Sequence, residues 1–138
     1  MPNKFHRLLI LVAAILIILP IYSEAVKIAT WNIKKFPGTI GTEREDDFRK
    51  VIEQLDLHIL VVQEMYSQGG VDQFLNNIMN YSSPGTYEAA EFKDGYDTDN
   101  ALFYKNSVIR CVSHEEIIVP PYNSDELREI SEYMLEIK

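Results

Sequence analysis

Apolar residues in this chain fall into short blocks whose spacing alternates between strand-like and helix-like. Val26 to Ile33 (VKIATWNI) is rich in β-branched and aromatic residues and predicts a strand, apolar on both faces around Ala29 and Trp31. Phe36-Pro37-Gly38 ends it. Thr42 to Leu55 predicts a helix, because Phe48, Val51, Ile52 and Leu55 form one apolar stripe. Thr42 and Glu45 match a capping box, and Glu43, Glu45, Asp46 and Asp47 suit the positive end of a helix dipole. His58 to Gln63 (HILVVQ) is a continuous apolar run of strand length, suited to burial on both faces. The order strand, helix, strand predicts a β-α-β unit with a crossover helix.

Farther along, Gly69-Gly70 precedes a second helical stripe made by Val71, Phe74, Leu75 and Ile78. Ser82-Ser83-Pro84-Gly85 reads as a turn, Tyr87 to Phe92 as a strand, and Asp94 to Asp99 as a polar loop. Ala101 to Tyr104 and Val108 to Val112 read as strands, and Ile117 to Val119 as one more, ended by Pro120-Pro121. The last segment, 124–138, is ambiguous. Ser124 can cap a helix carrying Leu127, Ile130 and Met134 at helical spacing, yet Tyr133, Leu135 and Ile137 alternate as in a strand. Spacing alone slightly favours the helix.

The N-terminus carries a different kind of signal. Lys4, His6 and Arg7 precede an unbroken apolar run from Leu8 to Leu19, and Ser23-Glu24-Ala25 places small residues where a signal peptidase would need them. Residues 1–25 therefore read as a secretory signal peptide, and Val26 to Lys138 as one domain in a secreted or periplasmic protein. Leu8 to Tyr22 is shorter than the ~20 residues a spanning helix needs, so no stable membrane insertion is expected after cleavage. An uncleaved anchor is the alternative. With 46% hydrophobic and 25% charged residues, the 138-residue chain is not of disordered composition. Its net charge is −8, and it offers no basic footprint for sequence-independent nucleic-acid binding. If the chain touches nucleic acid or another phosphate ester, a bound cation must supply much of the attraction. A lone cysteine, Cys111, excludes an intrachain disulfide, and its apolar neighbours suggest a buried structural thiol.

Two residues stand out chemically. Asn32 lies near the end of the first strand and Glu64 directly after the second. Two parallel strands would set them side by side at the carboxyl edge of the sheet, where ligands gather in α/β folds. An amide oxygen and a carboxylate are hard donors suited to Mg²⁺, Mn²⁺ or Ca²⁺, with water completing the shell. Taken singly, an Asn at a strand end is ordinarily a turn former, and a Glu after a strand a solvated loop residue.

Thr30-Trp31-Asn32-Ile33 with Lys34-Lys35-Phe36-Pro37, and Leu60-Val61-Val62-Gln63-Glu64, resemble the first two motifs of the endonuclease/exonuclease/phosphatase (DNase I-like) family. The resemblance implies metal-dependent phosphodiester hydrolysis, with Glu64 the main metal ligand and Asn32 beside it, both catalytic. Asn100-Ala101-Leu102-Phe103-Tyr104-Lys105 is similar to a later strand of that family, and Leu127-Arg128-Glu129 more weakly to its Arg-bearing segment. Asn100 and Arg128 are thereby implied near the substrate phosphate. The implied fold is α/β, a partial DNase I-like sandwich with one mixed sheet and helices on its outer face. The resemblance also makes the last segment a strand, and that reading is adopted.

The family's Gly-Asp-x-Asn and Ser-Asp-His motifs do not occur: Gly95 is followed by Tyr96, and Ser124-Asp125 by Glu126. His58 reads as a strand-end packing residue and His114 as an exposed loop residue, neither a general base. The chain thus reads as the N-terminal part of such a domain, nuclease-like and inactive alone. Sphingomyelinase-like or phosphatase activity is the alternative within enzymes. A non-catalytic interaction module is the alternative outside them, its sheet covered by a C-terminal half or a second copy, and a functionless truncation is a third reading.

Overall fold

A computed structural model describes residues 25–38, 42–95, 97–117 and 129–138. The signal-peptide reading therefore lies, Ala25 apart, outside the described residues. Among the described residues no helix is long and apolar enough to cross a membrane. The chain runs β1 (Ile28–Phe36), a 3₁₀ turn (Thr42–Arg44) leading into α1 (Glu45–Leu55), β2 (Ile59–Met65), and α2 (Gln68–Phe74), which continues as a π-helical turn (Leu75–Met79). β3 (Tyr87–Ala89), β4 (Asp99–Lys105), β5 (Ile109–Ile117) and β6 (Ile130–Ile137) follow.

The strands form a four-stranded mixed sheet in the order β1-β2-β4-β3 and a two-stranded sheet of β5 and β6. β1 and β2 are parallel, as the β-α-β pattern requires, with Ala29 opposite Leu60 and Asn32 opposite Gln63. One face of the four-stranded sheet packs under both helices. Phe36, Phe48, Phe74 and Phe103 meet there with Ile33, Leu60, Val62 and Met65, nearly all without solvent contact. The other face carries Ile59, Leu102 and Tyr104, which pack with Ile109, Cys111, Tyr133 and Leu135 of the small sheet. The single-sheet expectation is corrected accordingly. The inward residues of β5 and β6 find their apolar partners across the sheet face, and the chain becomes three layers.

One local expectation is met and three change. The last segment is a strand from Ile130 on, as the adopted reading expects and against the helix that spacing alone favoured, and it pairs antiparallel with β5 along its length; residues 124–128 lie outside the described residues, and so does Arg128. Ile117 ends β5 rather than opening another strand, and 118 and 119 lie outside the described residues. Gly69 and Gly70 lie inside α2, whose N-cap is Ser67, accepting from Gly70 N at 3.2 Å. A Cβ on Gly70 would stand 2.8 Å from Met65 Sδ and 2.9 Å from Pro37 Cδ, so close packing of the helix start explains that glycine. Glu45 does not close a capping box: no side chain caps α1, and its carboxylate is turned inward to Arg49, Gln73 and Asn77.

The two histidines among the described residues, His58 and His114, differ from each other. His58 is buried at the start of β2, where its Nδ1 accepts from Lys27 N at 2.9 Å, as a strand-end packing residue would. His114 is not an exposed loop residue. It is buried on β5, stacked on Tyr133 with ring centroids 4.2 Å apart. Its Nδ1 lies 2.7 Å from Glu91 O and its Nε2 2.9 Å from Glu116 Oε1. Nδ1 thus has the Glu91 carbonyl as its hydrogen-bond partner, while Nε2 lies near the Glu116 carboxylate without a well-aligned hydrogen bond. Cys111 is half-buried rather than enclosed, and burial pushes its thiol pKa up, away from reactivity.

Candidate functional site

β1 and β2 both break register at the same level, and the break builds the site. Asn32 pairs with Gln63 and Phe36 with Met65, so three residues of β1 bulge opposite one of β2, Glu64. The bulge forces left-handed backbone on residues that avoid it: φ is 52° at Lys34, 54° at Lys35 and 63° at Glu64. Each such residue costs roughly 1–2 kcal/mol, which the surrounding structure must offset. Phe36, fully buried, anchors the far end, and Tyr66 N donates to Phe36 O at 2.8 Å to resume the pairing.

Within this frame Asn32 Nδ2 donates to Glu64 Oε1 at 2.8 Å, and Lys34 N donates to Asn32 Oδ1 at 2.9 Å. The backbone N–H fixes which end of the amide is oxygen, so the NH₂ must face the carboxylate. Gln63 Nε2 also bonds Thr30 Oγ1 across the same strand pair. The structure therefore brings together the two residues singled out in the sequence.

Asn100 lies one strand over, where β2 and β4 slip register between Val62 and Met65. Its amide is turned toward the small sheet and donates to Ser131 Oγ at 3.3 Å; Ser131 in turn donates to Glu116 Oε1 at 3.1 Å. Asn100 is thus engaged between the sheets, in a polar chain that reaches His114 through Glu116.

A divalent cation finds only a partial donor set. Glu64 Oε2 makes no hydrogen bond among the described residues, and Asn32 Oδ1 keeps one lone pair beyond its bond to Lys34. No group of three or more His, Cys, Asp or Glu among the described residues could hold a metal ion. One free carboxylate oxygen, with the Asn32 amide turned NH₂-first toward Glu64, fits Mg²⁺ held chiefly by water and substrate oxygens, and does not fit a closed protein cage.

Beside this edge Lys93, Asp94, Gly95, Asp99, Glu116 and Glu129 line a shallow acidic pocket. Burial raises the Asp99 carboxyl pKa, and Asp94, Glu116 and Glu129 add repulsion, against the bond it accepts from Gly95 N at 2.8 Å. A carboxyl raised in the folded state contributes most below its unfolded pKa, and its contribution is lost as pH rises through the folded value. Asp99→Asn is therefore expected to melt higher than the parent chain at pH 7, the gap closing toward pH 3.8. Equal melting temperatures at both pH values would refute this.

Sequence reasoning missed Arg44, whose guanidinium reaches the bulge: Nη1 donates to Ile33 O at 2.9 Å and Nη2 to Lys34 O at 3.3 Å. A signal existed. Arg44 is a lone cation in the acidic run Glu43 to Asp47, at the helix end where a cation is disfavoured.

No family model matches the chain, and no curated relative matches it. Solved structures do share its fold. TDP2 of D. rerio, crystallised with a single-strand DNA product, superposes with a TM-score of 0.61 at 13% identity, over 81% of this chain and 41% of that one. An endonuclease/exonuclease/phosphatase family protein of Bacteroides thetaiotaomicron gives 0.60 at 16% identity, over 82% and 46%. A truncated TDP2 of Caenorhabditis elegans gives 0.53 at 16%, over 79% and 41%. The chain spans less than half the length of each. Its three layers and the strand–helix–strand edge bearing Asn32 and Glu64 have the fold of a partial endonuclease/exonuclease/phosphatase, DNase I-like, domain.

Proposed function

We propose that the Asn32–Glu64 edge is the metal-binding part of a phosphoester hydrolase site, taking nucleic acid or another phosphate ester as its substrate class. The 2.8 Å contact between the two side chains, on facing left-handed bulges, carries this reading. Backbone strain of this kind concentrates at functional sites. A bound Mg²⁺ or Mn²⁺ would supply Lewis-acid stabilisation of charge on phosphate oxygens. Glu64 would offer its free carboxylate oxygen to the ion, and Asn32 holds the other carboxylate oxygen, in a chain of net charge −8 where a cation is needed to draw phosphate in. Phosphodiester cleavage by a secreted nuclease-like protein is the specific form proposed. The D. rerio TDP2 structure with a DNA product supports the substrate class by analogy of fold.

The test is a titration of the full chain with Mg²⁺ or Mn²⁺, following thermal stability beside Glu64→Gln. A ligand that binds only the folded state raises its stability by RT ln(1 + [L]/Kd), about 2.7 kcal/mol at a hundredfold excess over Kd. The parent chain should show a cation-dependent rise that Glu64→Gln loses. A rise of equal size in both, or none in a folded parent, would sink the metal assignment.

The second reading, a non-catalytic module covered by another chain, draws on a separate observation. Val112, Ile117, Ile130 and Met134 stand exposed along the β5–β6 sheet, an apolar surface of the kind that partners cover. A folded chain without cation response that self-associates in sedimentation would favour it.

A further inference from the structure

Arg44 has no explanation in the stability of its own helix. Its charge sits at the N-terminal end of α1, the positive end of the dipole. Its Nε is buried without a hydrogen-bond partner. Its other nitrogens go to two main-chain carbonyls of the β1 bulge, and its planar group lies over the Phe48 ring, Cζ 5.3 Å from the centroid. Phe48 is in turn held edge-on by Trp31 and Phe36, so the guanidinium rests on a rigid aromatic floor.

We propose that Arg44 is a positioning residue for the Asn32–Glu64 pair, an inference that rests on reading that pair as the metal-binding edge. The route is a chain of four contacts. The guanidinium fork pins the carbonyls of Ile33 and Lys34. Pinning them holds the left-handed turn at Lys34 and Lys35, which the sequence alone would not adopt. The turn aims Lys34 N at Asn32 Oδ1. With its oxygen so held, Asn32 can present only its NH₂ to Glu64 Oε1, leaving Glu64 Oε2 for the cation. Release of the bulge would let the amide rotate and set oxygen against carboxylate. A lysine cannot substitute, because an ammonium lacks the planar fork that spans two carbonyls.

The experiment uses the full chain, ¹⁵N-labelled, as parent, Arg44→Met and Arg44→Lys. Met keeps apolar contact with Phe48 and removes every donor. Two readouts need no metal: hydrogen exchange of the Lys34 amide and the Asn32 side-chain amide resonances. The third is Mn²⁺ affinity. In Arg44→Met the Lys34 amide should exchange faster and the Asn32 resonances shift, while amides in β4 and α2 keep their protection. Mn²⁺ binding should weaken about tenfold, the lower range for residues that orient a metal ligand. Arg44→Lys should restore neither. Unchanged Lys34 exchange and Asn32 resonances in a folded Arg44→Met would overturn the proposal. If the parent binds no Mn²⁺ through Glu64, the metal reading fails, and exchange and resonances still decide the clamp. If Arg44→Met does not fold, Arg44→Lys carries the same readouts, and parent-like exchange there overturns the proposal.

Discussion

Phe74→Ala is expected to lower the stability of the fold by about 3–5 kcal/mol, the range for truncating a buried phenylalanine. Phe74 has no solvent exposure and stands at the centre of an aromatic cluster. Its ring lies 5.2 Å from Phe36, 5.6 Å from Phe48 and 5.1 Å from Phe103, so it touches β1, α1 and β4 at once. Three of these rings come from different elements, and none can move into the void without losing its other partners. The cavity should therefore stay open, which is where the cost is greatest. Small domains have total stabilities of roughly 5–15 kcal/mol, so the variant could lose most of its margin. Urea unfolding followed by far-UV circular dichroism measures the loss. A value below about 1 kcal/mol would mean that the cluster collapses to fill the space, contrary to the packing described.

That cluster shows which parts of the fold were legible in the sequence. Phe48, Ile52, Val71, Phe74 and Ile78 were visible at helical spacing, and all are buried. Val51 and Leu55, on the same predicted stripe, are partly exposed at 37% and 42%, because Glu45 and Arg49 occupy the inner side of α1 toward α2. The juxtaposition of Asn32 and Glu64 was legible because two parallel strands joined by a helix leave little freedom in where their ends lie. The bulges that aim these side chains were not legible. Lysine and glutamate have no preference for φ near +50° to +60°, and tertiary contacts impose it.

Register decided one miss, His114, and one ambiguity, β6. A shift between Cys111 and Ser113 moves His114 to the inner face of β5, where simple alternation from Ile109 would have placed Ser113. β6 was ambiguous because Ile130 and Met134 also fit a helix. Pairing with β5 settles it, leaving Met134 outward and Tyr133 and Leu135 packed inward. Local pattern carries the faces of regular elements; it does not carry insertions within them.

Glu45→Ala should destabilise the chain by about 2–3 kcal/mol, a large cost for a residue that sequence reading assigned to a helix cap. The carboxylate accepts from Arg49 Nη2 at 2.9 Å, Gln73 Nε2 at 2.7 Å and Asn77 Nδ2 at 3.2 Å, tying the first turn of α1 to α2 and its π-helical extension. The Glu45 and Arg49 side chains are only 10% and 17% exposed. Breaking a buried pair costs about 3–5 kcal/mol because the remaining charge is stranded. Arg49 is only partly stranded: it keeps Asp46 at 2.6 Å, the Asn77 carbonyl at 2.5 Å and the Tyr81 ring at 4.0 Å, which brings the expectation below that range. Glu45→Gln keeps the shape and one acceptor but turns an NH₂ group on Arg49 or on the amides, so it should recover less than half of the loss. Salt separates this from a surface effect. The Lys50–Asp47 pair, at 69% and 80% exposure, would contribute about 0–1 kcal/mol and fade in 1 M salt. The Glu45 loss should persist there nearly undiminished, since burial excludes the screening ions. If it vanished at high salt, the carboxylate would be acting as a solvated dipole partner of α1 and not as the tie between the two helices.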